Sequence, residues 1–223
     1  MARIVIVGGN GLTARHLISR LSNRGDHVVP LIRHPAQADH LVSLGGHPDV
    51  LDLETGTVDE FAAAFTEADA VVFAAGVGSN GGSVESIDRD GAIKSIDAAV
   101  AAGVPRFVQI SAIGATAGTP PTLTGSFWEA YYEAKRAGDA HLRSSGLGWT
   151  VLEPAELTEN LATDGVTLGV DVPRGASISR ADLAAVVVAV LDEPRAAGHT
   201  WELVGGTTPV VDAVAAAVAA AAE

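Results

Sequence analysis

The feature that most constrains the fold is a glycine-rich turn near the N-terminus, between an apolar run and a helical pattern. The run at residues 4–7 is followed by Gly8, Gly11 and Ala14, which gives the spacing G-x-x-G-x-x-A. In a strand–turn–helix unit, the first glycine permits the tight turn, the second lets the backbone approach a pyrophosphate, and a small third residue keeps the helix close to the sheet. The N–H groups and positive dipole end of the helix favour an anion there. The turn therefore predicts a dinucleotide site; the alternative is a tight turn without a ligand.

Apolar runs alternate with helical patterns along the next 150 residues, as in consecutive βαβ units. Because crossovers between parallel strands are right-handed, this alternation predicts a doubly wound parallel sheet, a Rossmann α/β fold, with strand order 3-2-1-4-5-6. The six predicted strands lie at residues 4–7, 27–32, 49–51, 70–74, 107–110 and 150–152.

The last third of the chain has a different pattern, broken by Pro154, Pro173 and several glycines. It predicts a short strand near residues 166–170, a helix from about Ser179, a strand at 200–204 and an alanine-rich helix with Pro209 in its first position. No linker separates it from the rest. We therefore expect one Rossmann domain over residues 1–223, in which residues 155–223 contribute a small substrate-side lobe.

Composition narrows the classes of function. The chain has 223 residues, 48% of them hydrophobic, which is enough for a sizeable core without disulfides or metal. It has no cysteine, which excludes disulfides, zinc–thiolate sites and a cysteine nucleophile and is compatible with the cytoplasm. A formal net charge of −13 disfavours nucleic acid and anionic lipid as partners. The longest apolar stretches are far below the roughly 18 residues that span a bilayer.

Several catalytic motifs are absent from the sequence. The seven histidines include no pair four residues apart with a carboxylate between them, so we expect no metal site. There is no G-x-S-x-G elbow of the α/β-hydrolase type, and the first turn lacks the G-K-[ST] of a P-loop.

The end of the second strand bears on the choice of cofactor. NAD-binding proteins usually place an acid there to hold the ribose 2′-hydroxyl, whereas this strand is followed by Arg33. An arginine can bind a 2′-phosphate through a fork of donors, so NADP(H) is expected in preference to NAD(H). The alternative is a solvated surface arginine. Asp52, after the third strand, either reaches the adenine amino group or is a loop or cap aspartate.

Longer segments extend these observations into a family resemblance. The segments that carry it are spread along nearly the whole chain: the turn GGNGLTA, then LIRHP and VVFAAG, then IDRDGAIKSIDAAVAAGVPRFVQISAIGA, YYEAKRAGDAHLRSSGLGWTVLEPAELT and ISRADLAAVVVAVL. Together they are similar to the atypical short-chain dehydrogenase/reductases, the small bacterial NAD(P)H-binding proteins related to flavin/biliverdin reductase-like proteins. The resemblance implies a Rossmann fold, bound NADP and a substrate pocket above the C-terminal strand ends.

The resemblance also implies specific cofactor contacts. They are Gly8, Asn10, Gly11, Leu12 and Thr13 for the pyrophosphate, Arg33 for the 2′-phosphate, Asp52 and Leu53 for the adenine, Ala74, Ala75 and Gly76 for the ribose, Ser111 at the end of strand five, Tyr131 and Lys135 as a Y-x-x-x-K pair, and Pro154 beside the nicotinamide. Two positions depart from the family. Glu153-Pro154-Ala155 stands where Arg-Pro-Gly is common, and Ser111-Ala112 replaces a serine pair.

The Y-x-x-x-K pair suggests a chemistry. Tyr131 and Lys135 are four residues apart and share a helix face. A lysine there can hold the nicotinamide ribose and lower the pKa of the tyrosine, which then gives a proton to a carbonyl oxygen as hydride arrives from the cofactor. Ser111 could donate a hydrogen bond to the same oxygen. The alternatives are an amphipathic helix with a buried ring and a solvated lysine, or a register that places Tyr132 in the pocket.

Two functions follow from these residues. The first is an NADP(H)-dependent oxidoreductase that reduces a small carbonyl, quinone or flavin-like acceptor. The second is a non-catalytic NADP(H)-binding redox sensor or regulatory protein. Both use the same cofactor site, and both are compatible with a monomer or a homodimer.

Overall fold

The computed structural model describes residues 1–77 and 83–221. Its strands are β1 Arg3–Val7, β2 His27–Ile32, β3 Asp49–Val50, β4 Ala70–Phe73, β5 Arg106–Ile110, β6 Gly148–Pro154, β7 Glu156–Thr158, β8 Gly165–Gly169, β9 Ser177–Ser179, β10 His199–Gly205 and β11 Thr208–Pro209. Its α-helices are α1 Leu12–Asn23, α2 Ala38–Ser43, α3 Val58–Ala64, α4 Gly91–Ala101, α5 Ser126–Ser144, α6 Arg180–Asp192 and α7 Val210–Ala220. A π-helical turn, Glu85–Asp90, leads into α4.

The main sheet has the order β11-β8-β10-β6-β5-β4-β1-β2-β3. Strands β1 to β6 are parallel and have the predicted order, so the Rossmann fold is confirmed. Strand β10 continues the sheet in parallel beside β6, and β8 and β11 add antiparallel pairings at that edge. Strands β7 and β9 form a separate two-stranded sheet. The division into one domain with a lobe at residues 155–223 stays a prediction, because three of the strands in that segment extend the main sheet.

Alternating side chains of the strands fill two apolar layers. In β1, Ile4 and Ile6 belong to the layer under α1, α6 and α7, and Val5 and Val7 belong to the layer under α3, α4 and α5. This is the alternation of a strand that is buried on both faces. Because these strands are parallel, the C-terminal ends of β1, β2, β4 and β5 lie at one edge of the sheet.

The start of the last helix differs from its prediction. Pro209 is not the first helical residue; it is the last residue of β11 and the N-cap of α7. Its ψ of 138° is extended, because Thr208 and Pro209 pair with Val166 and Gly165 of β8. In the part of the chain that the structure describes, no helix combines the length and apolarity that crossing a membrane requires.

Candidate functional site

The glycine-rich turn has no room for a side chain at Gly8. Gly8 has φ +79°, and a Cβ there would lie 2.7 Å from the Cα of Ala75, in the loop after β4. The N–H of Gly11 donates to the carbonyl of Gly8 at 2.9 Å and closes the turn. Gly11 is the N-cap of α1 and, within the described residues, no side chain caps this helix start. The turn thus leaves N–H groups and a dipole end for an anion.

Arg15 stabilises this turn, a role that the motif alone does not reveal. Its Nε donates to the carbonyl of Asn10 at 3.1 Å, and a terminal guanidinium nitrogen donates to Asn10 Oδ1 at 3.0 Å. The arginine therefore fixes the conformation of the turn from one side, while Asn10 faces the cleft.

A cleft of about 390 Å³ runs along the C-terminal strand ends from this turn. The site residues expected from the sequence that line it are Gly8, Asn10, Gly11, Leu12, Thr13, Arg33, Asp52, Leu53, Ala74, Ala75, Gly76, Ser111, Tyr131 and Lys135. Pro154 is not among the lining residues. It is the last residue of β6, where its carbonyl accepts the N–H of Ile113 at 2.9 Å.

The end of the cleft near β2 and β3 is open and polar. Arg33 is exposed there, and among residues 1–77 and 83–221 no carboxylate forms an ion pair with it. Asp52 Oδ1 accepts the N–H of Glu54 at 2.8 Å, which makes Asp52 a turn-forming residue as well as part of the cleft wall. Within the described residues, this end therefore presents an unpaired guanidinium near the turn that Asp52 forms.

At the other end, Lys135 is buried rather than solvated. Its exposed fraction is 4%, and its Nζ lies 2.8 Å from Asp88 Oδ1. Asp88 Oδ2 accepts the N–H of Val77 at 3.0 Å, so the lysine and the loop after β4 share one carboxylate. Burial disfavours the ammonium, but Tyr131, Asp88 and Asp139 outweigh it and raise the pKa of Lys135.

The two tyrosines of α5 have different environments. Tyr131 lines the cleft, with the Lys135 ammonium 5.5 Å from its ring centroid. Tyr132 is 3% exposed and donates its hydroxyl to the carbonyl of Ile113 at 3.1 Å. Burial raises the pKa of Tyr132 to about 12. Tyr131 is therefore the tyrosine that faces the cleft, and Tyr132 anchors the loop after β5.

Ser111 is held by a carboxylate behind the cleft wall. Its Oγ donates to Asp139 Oδ2 at 2.6 Å, and Gln109 Nε2 donates to Asp139 Oδ1 at 2.5 Å. Asp139 has an exposed fraction of 0%. Burial raises the pKa of Asp139, against the opposing effects of Ser111, Lys135, Arg143 and Gln109.

Asp88 and Asp139 were not predicted as site residues from the sequence. The spacing of Asp139 could have indicated its role. Asp139 follows Tyr131 and Lys135 at the same four-residue interval, so all three share one face of α5. An acid on the helix face that carries Tyr131 and Lys135 indicates an electrostatic partner for the lysine. Asp88 has no such signal, because its meeting with Lys135 depends on how the π-helical turn packs against α5.

Glu153, which stands where an arginine is common in the family, has a structural role. Its carboxylate is 1% exposed and accepts the N–H groups of Gly114 and Thr116 at 3.1 and 3.0 Å and the Thr116 hydroxyl at 2.5 Å. Burial raises its pKa, with the Thr116 bonds opposing this effect. Glu153 thus fixes the loop after β5, the segment that follows Ser111.

The C-terminal part of the chain adds two lining residues that the sequence did not indicate, Leu157 and Arg180. Arg180 is the first residue of α6, and its guanidinium donates to the carbonyl of Leu157 at 3.2 Å and pairs with Glu159. The cleft is therefore completed by β7 and by the start of α6.

The fold and the cleft together define the class of Rossmann-type nucleotide-binding proteins. The model of a family described as NAD(P)H-binding matches residues 8–194, and the chain belongs to that family. The resemblance to small NAD(P)H-binding proteins is thereby confirmed.

Three known proteins illustrate this membership. The chain is 33% identical over 219 residues to the uncharacterized sugar epimerase YhfK of Bacillus subtilis, covering 95% of this chain and 98% of that one. It is 34% identical to a Bacillus halodurans protein named as a candidate NAD-dependent epimerase/dehydratase, with a TM-score of 0.88 and coverage of 97% and 100%. ChuY, an anaerobillin reductase of Escherichia coli, shares the fold with a TM-score of 0.75 at 21% identity, covering 91% of this chain and 97% of ChuY.

Proposed function

We propose that the protein is an NADP(H)-dependent oxidoreductase that reduces a small carbonyl, quinone or flavin-like acceptor. The observation that carries the proposal is that a single cleft is lined at one end by the anion-binding turn and at the other by Ser111, Tyr131 and Lys135. A nicotinamide dinucleotide matches that arrangement, because its pyrophosphate and its reactive ring are separate parts of one extended molecule.

The residues present fit such a cofactor. The surroundings of Gly8 form a cradle that a Cβ would fill, and the uncapped start of α1 supplies donors for the pyrophosphate. Arg33, unpaired within the described residues, supplies a guanidinium for a 2′-phosphate, which supports a preference for NADP(H). When bound, the nicotinamide supplies the hydride.

The chain's own residues then have separate tasks. Lys135 forms an ion pair with Asp88 and donates weakly to the carbonyl of Ile110 at 3.5 Å, which leaves a donor for a cofactor hydroxyl on the cleft side. The Tyr131 hydroxyl gives a proton to the oxygen of a carbonyl acceptor. The apolar side chains of Val77, Ile87 and Leu157 exclude water from the same region of the cleft.

The test is NADPH oxidation with an aliphatic aldehyde, 9,10-phenanthrenequinone, menadione and FMN as separate acceptors. Tyr131→Phe should slow aldehyde reduction by about 10²–10⁴-fold, because only the proton donor is removed. Its affinity for NADPH should stay near that of the wild type. Tyr132→Phe is the matched control and should keep the aldehyde activity, because its hydroxyl is bound to Ile113.

Flavins and quinones accept hydride with little need for a protein acid, so the aldehyde is the decisive acceptor. Full aldehyde activity in Tyr131→Phe and loss of it in Tyr132→Phe would contradict the assignment. NADPH binding without oxidation by any of the four acceptors would favour the sensor function instead.

A further inference from the structure

A buried carboxylate is hydrogen-bonded to a hydroxyl that lines the cleft. Ser111 lines the cleft, whereas Asp139 is fully buried behind it. Asp139 Oδ1 is occupied by the Gln109 amide, and Oδ2 faces Ser111 Oγ at 2.6 Å. Any proton on Asp139 therefore belongs on Oδ2, in the hydrogen bond with Ser111.

The direction of that hydrogen bond determines what Ser111 offers to the cleft, since a serine hydroxyl has a single proton. When Asp139 is ionised, Ser111 donates to Asp139 and can only accept a hydrogen bond from a ligand. When Asp139 is protonated, Asp139 donates to Ser111, and the Ser111 proton turns to the cleft. A carbonyl oxygen needs the second state, whereas an alcohol can use the first.

We propose that Asp139 is a positioning residue whose protonation sets the polarity of Ser111, so that the site binds a carbonyl acceptor when Asp139 is neutral and an alcohol when it is ionised. The inference rests on the proposed function, because it assigns the direction of the same reaction. Asp139 does not touch the substrate. Tyr131 remains the residue that transfers the proton.

The charges around Asp139 permit both states. Lys135 and Arg143 on α5 favour the carboxylate, and Glu153 on β6 repels it. Asp88 pairs with Lys135 and so removes part of the attraction of that ammonium for Asp139. Complete burial adds a further bias toward the neutral acid, and the pKa of Asp139 is raised accordingly.

Asp139→Asn distinguishes the two states because an asparagine reproduces the neutral acid. Its oxygen can accept from Gln109 while its amide donates to Ser111, which fixes the Ser111 proton toward the cleft. In the wild type, kcat/KM for the carbonyl acceptor should fall by about tenfold per pH unit above the pKa of Asp139. In Asp139→Asn that decline should be absent, and Ser111→Ala should lower kcat/KM by about 10²-fold, also without the decline.

Asp88→Asn is the control for loss of a buried negative charge near Lys135. It leaves the Ser111–Asp139 bond intact, so the decline with pH should remain, whatever the absolute rate, and should begin at a lower pH because Lys135 then attracts Asp139 more strongly. A wild-type decline that persists unchanged in Asp139→Asn would overturn the inference.

A second measurement tests the protonation of Asp139 directly and needs no enzymatic activity. Carboxyl ¹³C NMR of the protein alone, with Asp139→Asn used for assignment, should show Asp139 titrating above the ordinary aspartate pKa of about 3.9. Ser111→Ala should raise that pKa further, since it removes a donor to the carboxylate. An Asp139 that titrates below 3.9 would overturn the inference, even if the protein is an active reductase. Absence of turnover with a raised Asp139 pKa would count against the proposed function alone.

Discussion

The two ends of the cleft are constructed differently. At the glycine turn, binding capacity comes from the backbone: the φ of Gly8, the Gly11–Gly8 hydrogen bond and the open start of α1. At the other end it comes from buried charged side chains, with Lys135 between Asp88 and Asp139. The hydrogen bonds of the first end join neighbours in sequence, with the loop after β4 packed against Gly8. The second end depends on four elements, the π-helical turn, α5, β5 and the loop after β4. The difference predicts that the first end tolerates almost no added atoms, whereas the second tolerates changes that keep its charges balanced.

The largest effect is expected at Gly8. Gly8→Ala combines a positive φ with a Cβ 2.7 Å from the Ala75 backbone, so the turn or the β4 loop must move. We expect NADPH affinity to fall by more than about 10²-fold, because a displacement of the turn misaligns the pyrophosphate donors. Calorimetric titration measures the affinity.

Gly25→Ala is the matched control for backbone strain. Gly25 also has a positive φ, +91°, but a Cβ there meets nothing within 4 Å. Its substitution should cost about 1–2 kcal/mol of stability and leave NADPH affinity unchanged. Equal affinities for Gly8→Ala and Gly25→Ala would show that the close approach to Ala75 is unimportant.

The next effect concerns the Asp88–Lys135 pair. Breaking a buried pair from one side leaves an uncompensated charge, so Asp88→Asn should lower the free energy of unfolding by about 3–5 kcal/mol. The double variant Asp88→Asn/Lys135→Met should lose less than the sum of the two single variants. Urea unfolding gives the three values, and simple additivity would mean that the two charges do not interact.

A smaller effect is expected for Arg33, at the open end of the cleft. Arg33→Ala should weaken NADPH binding by about 1.5–3 kcal/mol, roughly ten- to a hundredfold, and leave NADH binding almost unchanged. Arg195→Ala, which removes an exposed arginine paired with Glu193, should change neither affinity. Equal losses for NADPH and NADH in Arg33→Ala would show that this residue does not recognise the 2′-phosphate.

The smallest effect is the dependence of stability on pH. The pKa values of Asp139 and Glu153 are raised by burial, so the folded state holds protons that the unfolded state releases. The free energy of unfolding should therefore fall as pH rises from the ordinary pKa values of the two carboxyl groups through their raised values. Asp139→Asn should reduce this fall in urea titrations, and a slope identical to that of the wild type would contradict the assignment.

The two ends of the cleft also differ in how well they could be predicted from the sequence. Strand order and the turn at Gly8 and Gly11 follow from local patterns, because hydrophobic alternation and glycine spacing determine them without distant partners. The Y-x-x-x-K spacing indicated Lys135 as a site residue, but it did not indicate that this lysine is buried and paired with Asp88. Both properties arise only when the π-helical turn packs on α5. The role of Arg180 was hidden for the same reason, because it reaches the cleft from the start of a helix far along the chain.

The most direct test of the central claim, that one cleft binds NADP(H) with the nicotinamide at the charged end, is a crystal structure of the protein with NADP⁺. We expect the 2′-phosphate within hydrogen-bonding distance of Arg33 and the pyrophosphate on the N–H groups of the glycine turn. We expect the nicotinamide ring beside Ser111 and Tyr131. A nucleotide bound in the reverse direction, or at a different surface of the protein, would contradict it.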